Sequence, residues 1–189
     1  SVYTEGITKI TLDDVAYIGA FGGVIKLLGR AKRMDDGKIS AIVSPAIVMD
    51  GSQLASVNDV FNAILVRGDA TGDVVFYGKG AGKLPTASAV VADVIDIVGH
   101  KGLGAPYWED GGVLTDVNPD DTKLYVRVIS ADAKSAVAEI FGDVQVLKDA
   151  DGEFAFVSQA AKECELNKKA DALKEKLGAD AVANTIQVI

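Results

Sequence analysis

The 189-residue sequence has one cysteine, one histidine, one tryptophan and four prolines. A lone Cys164 closes no internal disulfide and builds no cysteine zinc site, and a lone His100 removes any multi-histidine metal centre. No metal ligands are therefore assigned. No apolar run approaches the roughly 20 residues of a membrane span. The opening stretch, SVYTEGITKITLDD, lacks a basic end followed by an apolar run, so no signal peptide is expected. It also lacks an initiating Met, as a chain that follows an excised tag or one cut from a longer protein would. Basic residues are few, 19 Lys and Arg against 27 Asp and Glu, for a net charge of −8. That excludes the broad basic surface needed for nucleic-acid or anionic-membrane binding. A soluble protein of the reducing cytoplasm is the expectation.

What the sequence does contain is enough apolar material for a core. Hydrophobic residues make up 49% and charged residues 24%, ordinary proportions for a globular protein of one large or two small domains. Thr11-Leu-Asp-Asp14 predicts a helix start, with Thr11 as cap and Asp14 in the first turn near the positive end of the helix dipole. Val15, Ile18 and Ala20 are expected on its buried face, and Gly22-Gly23 at its end. Four mostly antiparallel strands are predicted near 24–33, 38–48, 61–67 and 73–78, with Asp36-Gly37 as a hairpin turn and helices over one face. After Pro85 the period turns helical. Val90, Val91, Val94, Ile95 and Val98 form an apolar stripe expected to face a core, and Gly99 stops it.

Residues 99–121 are rich in Gly, Pro and Asp and read as a linker in which Tyr107 and Trp108 pin the chain to a neighbouring surface. Residues 122–189 have a logic of their own: strand, helix, a hairpin around Asp151-Gly152, a second helix lined by Leu166, Ala170, Leu173 and Leu177, and a last strand. That βαββαβ order is the ferredoxin-like plan. The expected fold class is thus α+β, a mostly antiparallel sheet with covering helices followed by a ferredoxin-like domain.

Candidates for chemistry are sparse. YGKGAGKLPTASAVVADV, Tyr77 to Val94, reads as a strand end, a glycine turn and a helix start. Such turns let backbone amides approach an anion, with the helix adding a positive end. The dinucleotide fingerprint is incomplete, however, since its third glycine is absent and the preceding strands read as antiparallel. The plainer reading of the glycines, and the one this stretch alone favours, is a tight strand-to-helix corner needing positive φ. Asp13 and Asp14 read as helix-start residues, Asp69 and Asp73 as turn residues, and Asp93 and Asp96 as one solvated helix face. Lys26 reads as an outward-facing strand residue and His100 as a solvated helix end. Cys164, between acids in KECEL, is no nucleophile. No catalytic residue is assigned, because no nucleophile–base set can be assembled.

Two long stretches carry a resemblance. EGITKITLDDVAYIGAFGGVIKLLGRAKR, from Glu5, and SPAIVMDGSQLASVNDVFNAILVRGDATGDVVFYGKGAGKLPTASAVVADVIDI, from Ser44, together resemble homoserine dehydrogenase of the bacterial type with a C-terminal extension. The likeness runs almost unbroken over residues 5–98. Residues 122–189 resemble that extension, an ACT domain.

The resemblance implies an NAD- or NADP-dependent oxidation of homoserine to aspartate semialdehyde, on the route to threonine, isoleucine and methionine. It implies a homodimer and an organisation in which 1–98 is the end of a catalytic and dimerisation domain, 99–121 a linker and 122–189 an ACT-like domain. Family members carry their nucleotide fingerprint in an N-terminal Rossmann domain. Their catalytic Asp and Lys lie in a D-x-x-x-K segment just ahead of where this sequence opens. Neither is present, so the chain alone is expected to be inactive and to bind NADP weakly or not at all. In the family the GAG..PTA loop touches the cofactor. Gly82 matches its contacting glycine, with Gly80 and Thr86 flanking it. The ACT-like part departs from its pattern: SADAKSAV, Ser130 to Val137, lacks the loop glycine of amino-acid-binding ACT domains. An amino-acid effector and a purely packing or dimerising role both stay open. Two other readings stand beside the dehydrogenase: an ACT-type amino-acid sensor and a dimerisation module.

Overall fold

The computed structural model describes residues 2–100, 112–115 and 120–189. These fall into two compact units, one made of residues 1–50 with 112–189, the other of residues 51–111.

In the first unit a short strand β1 (Tyr3–Thr4) precedes helix α1 (Leu12–Phe21). Thr11 caps α1 as its composition predicts. The Thr11 side chain accepts from the Asp14 amide, and the Asp14 carboxylate accepts from the Thr11 amide at 2.9 Å, a reciprocal capping box. Gly22 ends the helix at φ 87°, a left-handed conformation that only glycine adopts freely. Strands β2 (Gly23–Arg33) and β3 (Ile39–Met49) then form a long hairpin in register from Gly23↔Met49 to Arg33↔Ile39. Ile18 is fully buried, but Val15 is 51% exposed and Ala20 is exposed too. The inward face of this ten-residue helix is narrower than its composition suggests, and it centres on Asp14 and Ile18.

The second unit contributes strands β4 (Phe61–Gly68) and β5 (Gly72–Lys79) and helix α2 (Lys83–Gly99). Among the described residues β4 and β5 pair only with each other, so the four predicted strands exist but divide between the two units. Phe61 stacks on Tyr77 with ring centroids 4.8 Å apart, a diagonal cross-strand pair. Helix α2 starts two residues before Pro85 and stops at Gly99, as the sequence predicts. Its apolar stripe, however, faces no core: Val90, Val91, Val94, Ile95 and Val98 are 55–66% exposed. The period was read correctly, but a period does not show what covers the stripe.

Most of the predicted linker, including Tyr107 and Trp108, lies outside the described residues. Its Leu114–Thr115 forms a short strand β6 beside Ile39 and Ser40 of β3. The chain then runs β7 (Asp121–Ile129), α3 (Ala133–Ile140), β8 (Val144–Ala150), β9 (Glu153–Ser158), a two-residue β10 (Ala161–Lys162), α4 (Glu163–Leu177), a 3-10 turn at Ala179–Ala181, and β11 (Val182–Val188). The order β11-β7-β9-β8, with antiparallel neighbours throughout, is the ferredoxin-like arrangement read from the pattern. The β8–β9 turn places Asp151 and Gly152 at φ 58° and 76°, the two left-handed residues of a type I′ hairpin.

This sheet does not end at β11. Gln187 and Val188 pair in parallel with Ala46 and Ile47 of β3, which fuses the hairpin and the ferredoxin-like strands into one sheet. Each face has its own core. Leu124, Val126 and Val128 of β7 pack with Phe154, Phe156, α3 and α4 on one side. Tyr125, Ala155, Val157 and Ile186 pack with Ile18 and Ile47 on the other. The strict alternation along β7 thus serves two buried faces, with α1 closing the second.

Candidate functional site

The glycine turn lies between β5 and α2. Gly82 is the N-cap residue of α2 at φ 118°, where an L side chain is strained. A Cβ there would also sit 3.4 Å from Pro85 Cδ. At Gly80 an added Cβ would fall 1.5 Å from the Asn62 side-chain nitrogen, so that side chain would have to swing away. The Gly80 amide donates to the Val60 carbonyl at 3.2 Å, tying the turn back to the start of β4, and the Thr86 amide donates to the Gly82 carbonyl at 3.1 Å, opening the helix. The three residues singled out from the sequence therefore form one local corner.

That corner can do one chemical thing. Gly82 offers no side-chain cap to the helix, and first-turn amides have no carbonyl of their own helix to bond. The amides of Lys83 and Leu84 thus remain as donors for an anion at a positive helix end, while Pro85 has none. The absence of a side chain at 82 lets a flat or phosphorylated group approach the backbone there, whereas the space beside Gly80 is taken by the Asn62 side chain. Two amides are too few to hold a whole nucleotide.

The other sequence candidates scatter. Asp73 receives two bonds from Arg67, at 2.7 and 3.0 Å, across the hairpin. Asp69 accepts from the Ala70 amide. Asp96 pairs with His100 at 2.7 Å at the end of α2, and Asp93 is exposed on the same helix. Lys26 is half-buried in β2, and Cys164 is a free, exposed thiol. Among the described residues no three His, Cys, Asp or Glu side chains gather as a metal site.

A polar centre that the sequence reading missed lies in the first unit, beneath α1. Asp14 is fully buried. Its Oδ1 accepts from the Tyr125 hydroxyl at 2.9 Å and from Arg127 Nε at 2.8 Å, and its Oδ2 accepts from Asn184 at 3.0 Å. Arg127, 6% exposed, also donates to Thr11 Oγ1 at 3.0 Å and to Glu153 at 3.1 Å. The Tyr17 hydroxyl donates to the second oxygen of Glu153 at 3.0 Å. Burial alone would raise the Asp14 carboxyl, but the bonds from Thr11, Asn184 and Tyr125 outweigh it and hold it below its ordinary value. Burial and then the Asp14 charge push the Tyr125 hydroxyl upward, so it stays a donor. The only early sign was an arginine at an inward position of an otherwise apolar strand. This centre is saturated with partners, and it bolts α1 to β7, β9 and β11.

Comparison with known proteins bears on the same residues. The family model for homoserine dehydrogenase matches residues 1–95. The homoserine dehydrogenase of Pseudomonas aeruginosa is 49% identical over 96 residues, covering 51% of this chain and 22% of that protein. The Bacillus subtilis enzyme is 40% identical over 103 residues, covering 54% and 24%. Among solved structures, a homoserine dehydrogenase from Thiobacillus denitrificans superposes on all of this chain and 47% of its own, with a TM-score of 0.73 and 29% identity. That of S. aureus at pH 6.0 gives 0.71 and 30%, again over 47% of its length. The chain therefore spans about half the length of its solved relatives, and the aligned stretch less than a quarter of the curated ones.

Proposed function

The chain belongs to the homoserine dehydrogenase family, and on that premise we propose that it is the C-terminal part of an NAD- or NADP-dependent enzyme that oxidises homoserine to aspartate semialdehyde. The observation that carries this is the match over residues 1–95, which includes the glycine corner. A bound nicotinamide nucleotide supplies the hydride acceptor for the alcohol carbon of homoserine.

The contribution of this chain is positional. Gly82 keeps its part of the corner free of a side chain, Gly80 makes room for the Asn62 side chain, the Thr86 amide starts α2 from the Gly82 carbonyl, and the Lys83 and Leu84 amides face the cofactor edge. Proton transfer and most of the cofactor pocket belong to residues outside this sequence, so the 189 residues alone do not catalyse. Orientation and acid–base help supply most of the rate in such a reaction.

Residues 1–98 act as the end of the catalytic and dimerisation domain. The exposed stripe of α2 supports pairing with a second copy. Residues 122–189 act as an ACT-like domain, and its strand-sharing with β3 supports a role in assembly beside an amino-acid effector role. A free-standing amino-acid sensor is the alternative, and it predicts threonine-dependent stabilisation with no need of nucleotide.

The test is homoserine-dependent reduction of NADP by the whole protein. A finer one is Gly82→Val in that protein. A β-branched residue at φ 118° carries strain of about 1–3 kcal/mol and places methyl groups where the nucleotide edge sits. The expected result is a KM for the nucleotide raised about tenfold or more, with the KM for homoserine little changed. An unchanged nucleotide KM would remove the corner from the cofactor site.

A further inference from the structure

Gly80 is a glycine for a reason that its own backbone does not supply. It is not one of the positive-φ glycines of the chain, so its conformation does not call for a missing side chain. Asn62 does. The Asn62 side-chain nitrogen lies 1.5 Å, and its Cγ 2.6 Å, from where a Gly80 Cβ would sit. The carboxamide therefore occupies the space that the glycine leaves. Asn62 itself pairs with Gly78 across the β4–β5 hairpin, and a Cβ added at Gly78 would meet nothing within 4 Å. Residues two apart in a strand share a face. Gly78 and Gly80 thus leave one face bare at the end of β5, and the Asn62 carboxamide rests against it.

This placement suits a ligand better than it suits the fold. Packing over a glycine needs only bulk, and Asn is a poor strand residue. The same face continues with Ile64, Val66, Val74 and Phe76, so an apolar side chain at 62 would match its neighbours. Asn62 is instead the polar residue of that face, at the end nearest the glycine corner. It is exposed, so its two donors and one acceptor are open to water and to whatever replaces water there. Gly80 stands two residues before Gly82, at most about 7 Å of chain. The carboxamide therefore borders the corner that carries the Lys83 and Leu84 amides.

We propose that Asn62 is a further contact for the nicotinamide nucleotide, its carboxamide held in place by Gly80 and hydrogen-bonded to the nucleotide beside Gly82. The inference rests on the dehydrogenase reading. It gives the two glycines different tasks. Gly82 leaves the backbone open to the nucleotide, and Gly80 leaves room for the side chain that touches it. It also adds a side-chain donor and acceptor where two backbone amides are too few.

The experiment is an equilibrium titration of the whole protein with NADPH, read by the nucleotide's fluorescence, together with KM values for NADP and for homoserine. NADH and NAD replace them where the parent prefers NAD. Asn62→Leu keeps the bulk over Gly80 and removes the hydrogen-bonding groups. It is expected to weaken NADPH about three- to tenfold and to raise the KM for NADP alike, with the homoserine KM and the melting temperature unchanged. Gly80→Ala should expel the carboxamide and cause a loss of similar size. Asn62→Ala with Gly80→Ala should lose no more than Asn62→Ala alone, because both act through one contact. Three results would overturn the proposal while leaving the dehydrogenase reading intact: parent-like NADPH affinity in Asn62→Leu, losses that add in the double variant, or a loss shared by the homoserine KM and the melting temperature. A parent that neither binds a nicotinamide nucleotide nor reduces one with homoserine would overturn the dehydrogenase reading and this contact with it.

Discussion

Replacing Asp14 with Ala is expected to destabilise the first unit by about 3–5 kcal/mol, the usual consequence of removing one member of a buried ion pair. The substitution leaves Arg127 buried without its main counter-charge and strips Tyr125 and Asn184 of their acceptor. It also opens the capping box of α1. For a chain of this size the melting temperature should fall by about 6–20 °C. Asp14→Ala combined with Arg127→Met should recover part of the loss, because no unpaired charge remains, and the double-mutant cycle reads that coupling directly. A pH series adds a second readout. The Asp14 carboxyl is lowered from 3.8 in the folded chain, so its contribution is complete above that value and is lost as pH falls through its lower folded value. Asp14→Asn should flatten that part of the acid arm, leaving what Asp36 and Asp73, also lowered by their Lys38 and Arg67 partners, contribute. An Asp14→Ala variant as stable as the parent would show that α1 is not held by this centre.

Charging the exposed stripe should have an equally large effect on assembly. Among the described residues none of the side chains of helix α2 is buried, and an isolated helix of this length is marginal in water. Its Val and Ile residues are expected to be covered by a second copy. Val94→Asp with Ile95→Asp forfeits the burial of two side chains at about 1.5–3 kcal/mol each. The dissociation constant of the dimer should therefore rise at least about a hundredfold. Sedimentation equilibrium should find a dimer for the parent chain and a monomer for the variant. A parent chain that is monomeric at high micromolar concentration, or a variant that still pairs, would remove α2 from the interface.

Local signals in the sequence were reliable wherever the cause was local. The capping box at Thr11 and Asp14, the left-handed turn at Asp151-Gly152 and the spacing of Leu166, Ala170 and Leu173 each depend on residues a few positions apart. The βαββαβ order followed from them. Partnership across the chain was not legible. Nothing near Gln187 announces that β11 pairs with β3, so the fusion of the two strand sets went unseen. Arg127 and Asp14 stand 113 residues apart, and each looked ordinary alone, one a strand residue and the other a helix-start acid. The stripe on α2 was legible as a stripe, but an apolar period is the same whether a core, a second copy or another domain covers it. At the glycine corner the sequence showed a turn, and the positive φ of Gly82 gives that glycine its local cause.

The most direct test of the central claim is the absorbance at the nicotinamide band when homoserine and NADP are given to the whole protein, with the 189-residue chain as control. Reduction that requires homoserine in the whole protein, and none with the chain alone, is the predicted result. Reduction by the chain alone would place acid–base residues and a full cofactor pocket within these 189 residues. No reduction by either, with NAD tried in place of NADP, would contradict the dehydrogenase reading and leave the sensor or dimerisation roles.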